Sequence, residues 1–301
     1  MNLADSAASP SKSPAKPCLD SAVPLAFAHR GFSPEGTARE NSLRAFRDAT
    51  ALGFTHLETD VWATRDGVPV AFHDETLDRT TDGSGRIADY NLAELEQFRI
   101  GGTEPILSIE QLVTALPQAR FNLDVKDPAA VGPLADVIVR TALQDRLCLA
   151  SFSDERRRAT MALLPPSAAE RVAQSAGKRS IILFALLSPW CVGPLSGAKI
   201  GPKLRAWLRR QLGEIDCLQL PERSGPLRLV TRRSVHRAHR LGLKVHVWTI
   251  NEAERMHRLF DLGVDGVMTD RADVLAQVMR ERHYWIGGPE RGLANDSEDG
   301  Q

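Results

Sequence analysis

The sequence predicts an α/β protein built as a (β/α)8 TIM barrel with a small insertion after its second strand. Short apolar runs typical of strands alternate along the chain with segments whose apolar residues recur about every 3.6 residues, which is typical of amphipathic helices. Eight such pairs are present between residues 23 and 285. That span provides roughly the 250 residues that a closed barrel of eight strands and eight helices needs.

The eight predicted strands are short apolar runs. In chain order they are Leu25–Ala28, His56–Val61, Phe121–Val125, Leu147–Ser151, Arg171–Gln174, Cys217–Leu220, Leu243–Trp248 and Gly266–Met268. The eight predicted helices follow them one by one. In chain order they are Asn41–Leu52, Ile109–Leu116, Pro133–Leu143, Asp154–Leu164, Pro202–Gln211, Thr231–Leu241, Glu252–Leu262 and Ala272–Met279. This regular alternation favours a parallel sheet covered by helices.

Local chemistry predicts several helix ends. Gly53 and Gly242 come just after helices, where a residue with positive φ can end the last turn. Ser153 and Asp154 precede or begin the fourth helix, and Asn251 precedes the seventh. Their side-chain oxygens can accept hydrogen bonds from the unpaired N–H groups of a first helical turn. We therefore expect helix boundaries at these five positions.

One segment is too long for an ordinary connection in a barrel. After an extra strand at Val68–Phe72, residues 74–106 precede the next barrel helix. Loops of this length in compact domains are usually functional or disordered. The helix-like stretch Asn91–Phe98 predicts a small ordered subdomain over the mouth of the barrel.

Composition and charge exclude some functions. The 38 basic and 38 acidic side chains give a net charge of zero, which argues against a nucleic-acid partner. Residues 1–22 are expected to be a disordered tail and residues 286–301 a flexible one, with no signal peptide and no transmembrane segment. Four scattered cysteines without a CxxC motif predict free thiols, and hence a cytoplasmic protein. The oligomeric state is not indicated.

Charged side chains gather at the carboxyl ends of the first three predicted strands. They are His29 and Arg30, then Glu58 and Asp60, then Asp124 and Lys126. In a barrel the reactive side chains come from these strand ends, so the six are expected to meet at one rim. Three carboxylates there would repel one another unless they surround a cation, and Mg²⁺ and Ca²⁺ prefer oxygen ligands. We therefore predict that Glu58, Asp60 and Asp124 bind a divalent metal ion.

Further residues predict that this site acts on a phosphate ester. The imidazoles of His29 and His73 can act as general base and general acid on opposite sides of a phosphorus atom. Arg30 provides a planar fork for two phosphate oxygens, and Lys126 adds a point charge. Trp248 ends the seventh strand and would form an aromatic wall.

Each of these residues also has a structural explanation. A carboxylate at a strand end can cap the next helix, Arg30 can pair with Glu40, and Trp248 can pack inside the barrel. The occurrence of the whole set on consecutive strands favours the functional interpretation.

The same residues lie in segments that resemble the glycerophosphodiester phosphodiesterase family. The segments are AHRGFSPEGTARENSLRAF and LETDVWATRDGVPVAFHDETLDRTT, followed by LDVK, VHVWTIN and GVDGVMTDRADVL. The family signature is HRG, EN, an ExD strand and a V-x-x-HD segment, and the resemblance covers about residues 25–275. It implies a barrel with a small insertion, a divalent metal, and hydrolysis of glycerophosphodiesters to glycerol 3-phosphate and an alcohol.

The resemblance also implies roles for individual residues. The family's acid–base pair falls on His29 and His73, its metal ligands on Glu58, Asp60 and Asp124, and its phosphate-binding cation on Arg30 with Lys126 beside the metal. Glu40 and Asn41 occupy the EN positions and would support the first histidine and the metal shell. Many members have Glu in place of Asp124, and the Pro that usually precedes EN is Arg39 here.

Two other functions fit parts of this pattern. A lysophospholipase D-type phosphodiesterase would use the same site on acylated substrates and would need an apolar channel. Leu92, Leu95, Phe98 and Ile100 of the insertion could line one, although packing of the insertion onto the barrel is the favoured explanation. A non-catalytic barrel that binds glycerophosphodiesters would not need two histidines and three carboxylates. The motifs leave open the head group, the metal, and attack by water or by the glycerol hydroxyl.

Overall fold

The computed structural model describes residues 16–33, 39–192 and 201–285. The strands are β1 (Leu25–His29), β2 (His56–Ala63), β3 (Pro69–Ala71), β4 (Arg99–Ile100), β5 (Glu104–Pro105), β6 (Arg120–Val125), β7 (Leu147–Ala150), β8 (Ala173–Gln174), β9 (Cys217–Pro221), β10 (Arg223–Ser224), β11 (Leu227–Arg228), β12 (Lys244–Trp248) and β13 (Gly266–Thr269). The helices are α1 (Leu43–Ala51), α2 (Leu92–Leu95), α3 (Ile109–Ala115), α4 (Val131–Arg140), α5 (Asp154–Ala162), α6 (Pro166–Ala169), α7 (Lys178–Val192), α8 (Gly201–Leu212), α9 (Arg232–Arg240), α10 (Ala253–Leu262) and α11 (Ala272–Glu281).

Eight parallel strands form a barrel, which confirms the predicted fold class. Their order around the sheet is β8, β7, β6, β2, β1, β13, β12 and β9. A bridge between Ser175 and Cys217 then brings β9 back to β8, so the ring is nearly closed. Every predicted barrel strand is present, although the fifth shortens to Ala173–Gln174. This closure brings the carboxyl ends of strands that are distant in the chain to one rim.

The insertion after β2 is ordered, as expected. β3 pairs antiparallel with β2, and α2 lies within the predicted helical stretch. The insertion has its own apolar cluster, which includes Leu77, Ile87, Leu95 and Ile100. Leu95 and Ile100 are fully buried there, so they pack the insertion rather than line a channel.

The amino-terminal segment differs from the predicted tail. Pro17–Leu19 form a 3-10 helix, and Cys18 and Leu19 are buried against the amino-terminal end of the barrel. The Cys18 carbonyl accepts a hydrogen bond from His56 Nε2, and the Leu19 carbonyl accepts one from Lys244. Residues 16–22 therefore belong to the barrel. Residues 1–15 and 286–301 lie outside the part that the structure describes.

Between β8 and β9 the chain forms two long helices where the sequence predicted one. α8 matches the predicted helix, but α7 was not predicted, because its run of apolar residues, Ile181–Val192, leaves little amphipathic periodicity. The helix continues past Pro189. Across the described part of the chain, no helix combines the length and the apolar character needed to cross a membrane.

Most predicted helix ends agree with the structure. Ser153 accepts a hydrogen bond from the Arg156 N–H at the start of α5, and Gly53 and Gly242 have φ values of 99° and 74°. The prediction that Asn251 caps a helix is wrong. The residue that precedes α10 is Glu252, and its side chain makes no capping hydrogen bond.

Candidate active site

A tight turn after β1 directs the first two site residues. Arg30 and Gly31 both have positive φ, 56° and 89°. The Arg30 N–H donates to the Glu58 carbonyl at 2.9 Å, which fastens the turn to β2. A Cβ atom on Gly31 would lie 2.7 Å from the backbone carbonyl carbon of Ala45. Only glycine fits this approach of the turn to α1.

A cavity of about 440 Å³ opens at the carboxyl ends of the strands. It is lined by every side chain that the sequence assigned to proton transfer, metal binding or phosphate binding. These are His29, Arg30, Glu58, Asp60, His73, Asp124, Lys126 and Trp248. Residues separated by more than 200 positions in the chain therefore meet in one space.

Two carboxylates face each other across neighbouring strands. Asp60 of β2 and Asp124 of β6 are partners in the parallel register. The Lys126 ammonium lies between them, 2.8 Å from Asp60 Oδ1 and 2.7 Å from Asp124 Oδ2. The second oxygens, Asp60 Oδ2 and Asp124 Oδ1, are buried and have no hydrogen-bond partner among the described residues. Such acceptors normally have a donor or a cation beside them.

Burial and neighbouring charges shift the pKa values of two of these carboxyl groups. Burial, together with the nearby Asp60, raises the pKa of Glu58 to about 7 against the opposing effects of His29 and Arg30. Burial also raises the pKa of Asp124, although Lys126 opposes this shift. A further cation near these carboxylates would favour their ionised forms.

The chemistry of this cluster fits a hard divalent cation, although its present arrangement does not form a metal site. Carboxylate oxygens are the ligands that Mg²⁺ and Ca²⁺ prefer, and two of them here accept no hydrogen bond, although Asp60 Oδ2 lies 3.4 Å from Arg30 Nε. Yet no group of three or more His, Cys, Asp or Glu residues in the described ranges is placed to hold an ion. Since Lys126 bridges Asp60 and Asp124, a metal ion would require these side chains to rearrange.

His29 is held by a carboxylate that the sequence analysis did not identify. This carboxylate belongs to Asp270, the residue that follows β13. His29 Nδ1 lies 2.6 Å from Asp270 Oδ1, and His29 Nε2 lies 3.7 Å from Glu58 Oε2. Burial disfavours the imidazolium, but Glu58 and the hydrogen bond to Asp270 outweigh burial and raise the pKa of His29. Because a carboxylate only accepts, Nδ1 carries a proton and Nε2 is left for the cavity.

Asn251 fixes the position of Asp270. Its Nδ2 donates to Asp270 Oδ2 at 2.9 Å, and its Oδ1 accepts from the Asp270 N–H and from the Thr269 hydroxyl, each at 3.0 Å. The side chain predicted to cap a helix therefore holds the partner of His29. Asn251 ends the segment VHVWTIN, and Asp270 ends the segment GVMTD. Only the closure of the barrel shows that the two residues meet beside β1.

A chain of polar contacts links the second histidine to Arg30. His73 Nδ1 lies 2.5 Å from Asp74 Oδ1, and Asp74 pairs with Arg79 at 2.6 Å. Arg79 also binds Glu40, and Glu40 accepts from Arg30 Nη1 at 3.0 Å. The structural explanation for Arg30, a pair with Glu40, therefore holds. Arg79 was not predicted.

Asn41 supports the site from behind, whereas Trp248 and Lys126 contact Phe152 in the wall of the cavity. Asn41 has a φ of 61°, and its Oδ1 accepts from the Thr59 hydroxyl at 2.7 Å, so it holds the loop after β1 against β2. Trp248 packs edge-on against Phe152, with ring centroids 5.9 Å apart. Lys126 lies 4.9 Å from the centre of the Phe152 ring.

One wall of the cavity is apolar. Phe152, Ile181, Ile182 and Leu229 line it together with Trp248. Ile181 and Ile182 belong to α7, the helix that the sequence did not predict. These side chains are suited to contact a part of a ligand that carries no charge.

The chain is similar to known phosphodiesterases over most of its length. A model of the glycerophosphoryl diester phosphodiesterase family matches residues 29–274. A probable glycerophosphodiester phosphodiesterase 2 of Mycobacterium tuberculosis is 38% identical over 263 residues, which cover 87% of this chain and 93% of that protein. A glycerophosphodiester phosphodiesterase of Caldanaerobacter subterraneus is 26% identical over 277 residues, which cover 85% of this chain and 98% of that protein.

A solved structure has the same fold. It is a phosphodiesterase from Oleispira antarctica in complex with the product sn-glycerol-3-phosphate. The two structures superpose with a TM-score of 0.65 at 24% sequence identity. The match covers 86% of this chain and 97% of the Oleispira antarctica chain.

Replacing the partner of His29 tests its importance for turnover. Asp270→Asn should lower kcat/KM on a glycerophosphodiester by about 10- to 100-fold, because an amide holds the Nδ1 proton less well. It also removes an interaction that raises the pKa of His29, so the limb of the pH–rate profile that reports this imidazole should move to lower pH. Asp273→Asn, which alters a carboxylate paired with Arg271, is the control. An unchanged pH profile in folded Asp270→Asn would refute this role.

Proposed function

Because the chain belongs to the glycerophosphoryl diester phosphodiesterase family, we propose that it hydrolyses glycerophosphodiesters to sn-glycerol 3-phosphate and an alcohol, using two histidines and a divalent metal. One observation carries this proposal: two imidazoles, three carboxylates and two cations line the same cavity. The relative from Oleispira antarctica, solved with sn-glycerol-3-phosphate, supports the assignment of the product.

The cations of the site are proposed to hold the phosphate. Arg30 and Lys126 would neutralise charge that develops on the phosphate oxygens, and electrostatic stabilisation of this kind is usually the largest single catalytic contribution. A divalent ion held by Glu58, Asp60 and Asp124 would supply Lewis acidity at the phosphorus. Lys126, now paired with both aspartates, would then be released towards the substrate.

The histidines are proposed to transfer the protons. Each has its Nδ1 against a carboxylate, His29 with Asp270 and His73 with Asp74, so each keeps Nε2 for transfer. One Nε2 takes a proton from the nucleophile, and the other gives a proton to the departing alcohol oxygen. The bond from phosphorus to that oxygen breaks as the new bond to phosphorus forms.

Histidine variants test this assignment. His29→Ala and His73→Ala should each lower kcat by about 10²–10⁴-fold on glycerophosphocholine, because each removes a proton-transfer group. His236→Ala changes an exposed histidine on α9 and should retain the wild-type rate. Thermal unfolding would show whether each variant folds. Wild-type rates in both site variants would mean that neither imidazole transfers a proton.

Metal dependence has its own test. Treatment with EDTA should abolish turnover, and adding Mg²⁺ or Ca²⁺ should restore it, because the proposed mechanism uses a divalent ion bound by the three carboxylates. Binding of Mn²⁺, measured by electron paramagnetic resonance, should weaken in Asp60→Asn and stay unchanged in Asp136→Asn, an exposed carboxylate on α4. Full activity in excess chelator would remove the metal from the mechanism.

A lysophospholipase D-type activity is the second candidate, and the apolar wall of the cavity favours it. This wall comes from Phe152, α7 and Leu229 rather than from the insertion. We expect kcat/KM to be higher for glycerophosphocholine than for lysophosphatidylcholine. The charged groups of the site would contact only the glycerophosphate, which both substrates contain. The opposite order would favour the second candidate. No observation favours a non-catalytic barrel.

We also propose that the enzyme works in the cytoplasm. All four cysteines are free, and Cys148 and Cys217 remain unbonded with their sulfur atoms 3.9 Å apart. Free thiols at such a distance are typical of a reducing compartment.

A further inference from the structure

α7 exposes a row of large apolar side chains. Ile182, Leu186 and Trp190 are spaced four residues apart and so lie on one face of the helix. Their exposed fractions are 56%, 64% and 63%. Exposed apolar residues are usually scattered singly, whereas a contiguous group marks an interaction site. Trp207 on the neighbouring α8 is also exposed.

The same region is strongly basic. Residues 171–213 contain eight Lys and Arg residues and no Asp or Glu, in a chain whose net charge is zero. Lys178 and Arg179 are exposed at the start of α7, and Lys203 and Arg210 are exposed on α8. This combination of apolar and cationic side chains complements a surface that is both apolar and anionic.

The apolar row begins at the active-site cavity. Lys178, Ile181 and Ile182 line the cavity, and Leu186 and Trp190 continue the row for about 12 Å along the helix at 1.5 Å per residue. Phe152, another lining residue, is exposed and lies beneath the Lys178 ammonium at 5.4 Å. Anything that covers this row therefore lies at the mouth of the cavity.

We propose that the α7 face, formed by Lys178, Ile182, Leu186 and Trp190, docks on the surface of an anionic lipid bilayer. Tryptophan and basic residues are typical of segments that lie at the boundary between head groups and acyl chains. The described helices are too short or too polar to span a bilayer, so α7 would lie on it. Docking does not depend on the proposed function.

A second copy of the chain fits this face less well. In a symmetric dimer the same patch contacts itself, so the basic residues of both copies would be brought together. Like charges placed across an interface oppose association. The phosphates of anionic lipids would instead neutralise these cations, while the apolar side chains enter the acyl region.

Docking would also define where the substrate is found. It places the mouth of the cavity beside lipid head groups, so acylated glycerophosphodiesters could enter along the apolar wall. This consequence rests on the second candidate function, the lysophospholipase D-type activity.

Vesicle co-sedimentation of the full chain tests the docking. The wild type should bind vesicles of phosphatidylglycerol and phosphatidylcholine, bind vesicles of phosphatidylcholine alone more weakly, and be released by salt. Leu186→Ser/Trp190→Ser should lower the affinity at least about tenfold, since both side chains leave water on docking. The matched control is Val139→Ser/Leu163→Ser, which alters exposed apolar side chains on α4 and at the end of α5 and should bind like the wild type.

Turnover of water-soluble glycerophosphocholine separates docking from catalysis. Both double variants should turn it over at the wild-type rate, because none of the four residues lines the cavity. A wild type that binds vesicles but lacks this turnover would leave docking intact and refute the proposed function. Docking is refuted if the wild type stays in the supernatant, if the α7 variant binds as well as the wild type, or if light scattering shows a dimer that this variant abolishes.

Discussion

The site depends on holding three buried carboxylates close together. Parallel pairing of β2 with β6 sets Asp60 beside Asp124, and the alternation of side chains in β2 sets Glu58 on the same face. Burial makes the repulsion between them stronger than it would be in water. Lys126 offsets part of it, and burial together with the nearby Asp60 still raises the pKa of Glu58. The fold itself therefore concentrates buried carboxylates at this rim.

The two imidazoles contact carboxylates from two distant parts of the chain. Asp270, at the end of the last strand, holds His29, and its own position depends on Asn251. Asp74, in the insertion, holds His73 and connects through Arg79 to the loop after β1. The insertion is thus tied to the catalytic rim by charge and contributes directly to its geometry.

The sequence predicted the residues whose positions depend on local rules. Strand periodicity and the i, i+2 spacing place Glu58 and Asp60 at the rim without knowledge of the fold. The partnership of Asp270 with His29 joins residues 241 positions apart and exists only because β13 pairs with β1. The sequence did not predict α7, because a helix that is apolar on most sides gives no periodic signal. It also did not predict that residues 16–22 are ordered, because two buried side chains form too short a pattern.

The most direct test of the central claim is a crystal structure of the enzyme with Ca²⁺ and sn-glycerol 3-phosphate. We predict one ion bound by Glu58, Asp60 and Asp124 at about 2.3–2.6 Å, with the phosphate between His29 and His73 and Lys126 no longer bridging the aspartates. A phosphate bound outside this cavity, or an ion held elsewhere while Lys126 still bridges Asp60 and Asp124, would contradict it.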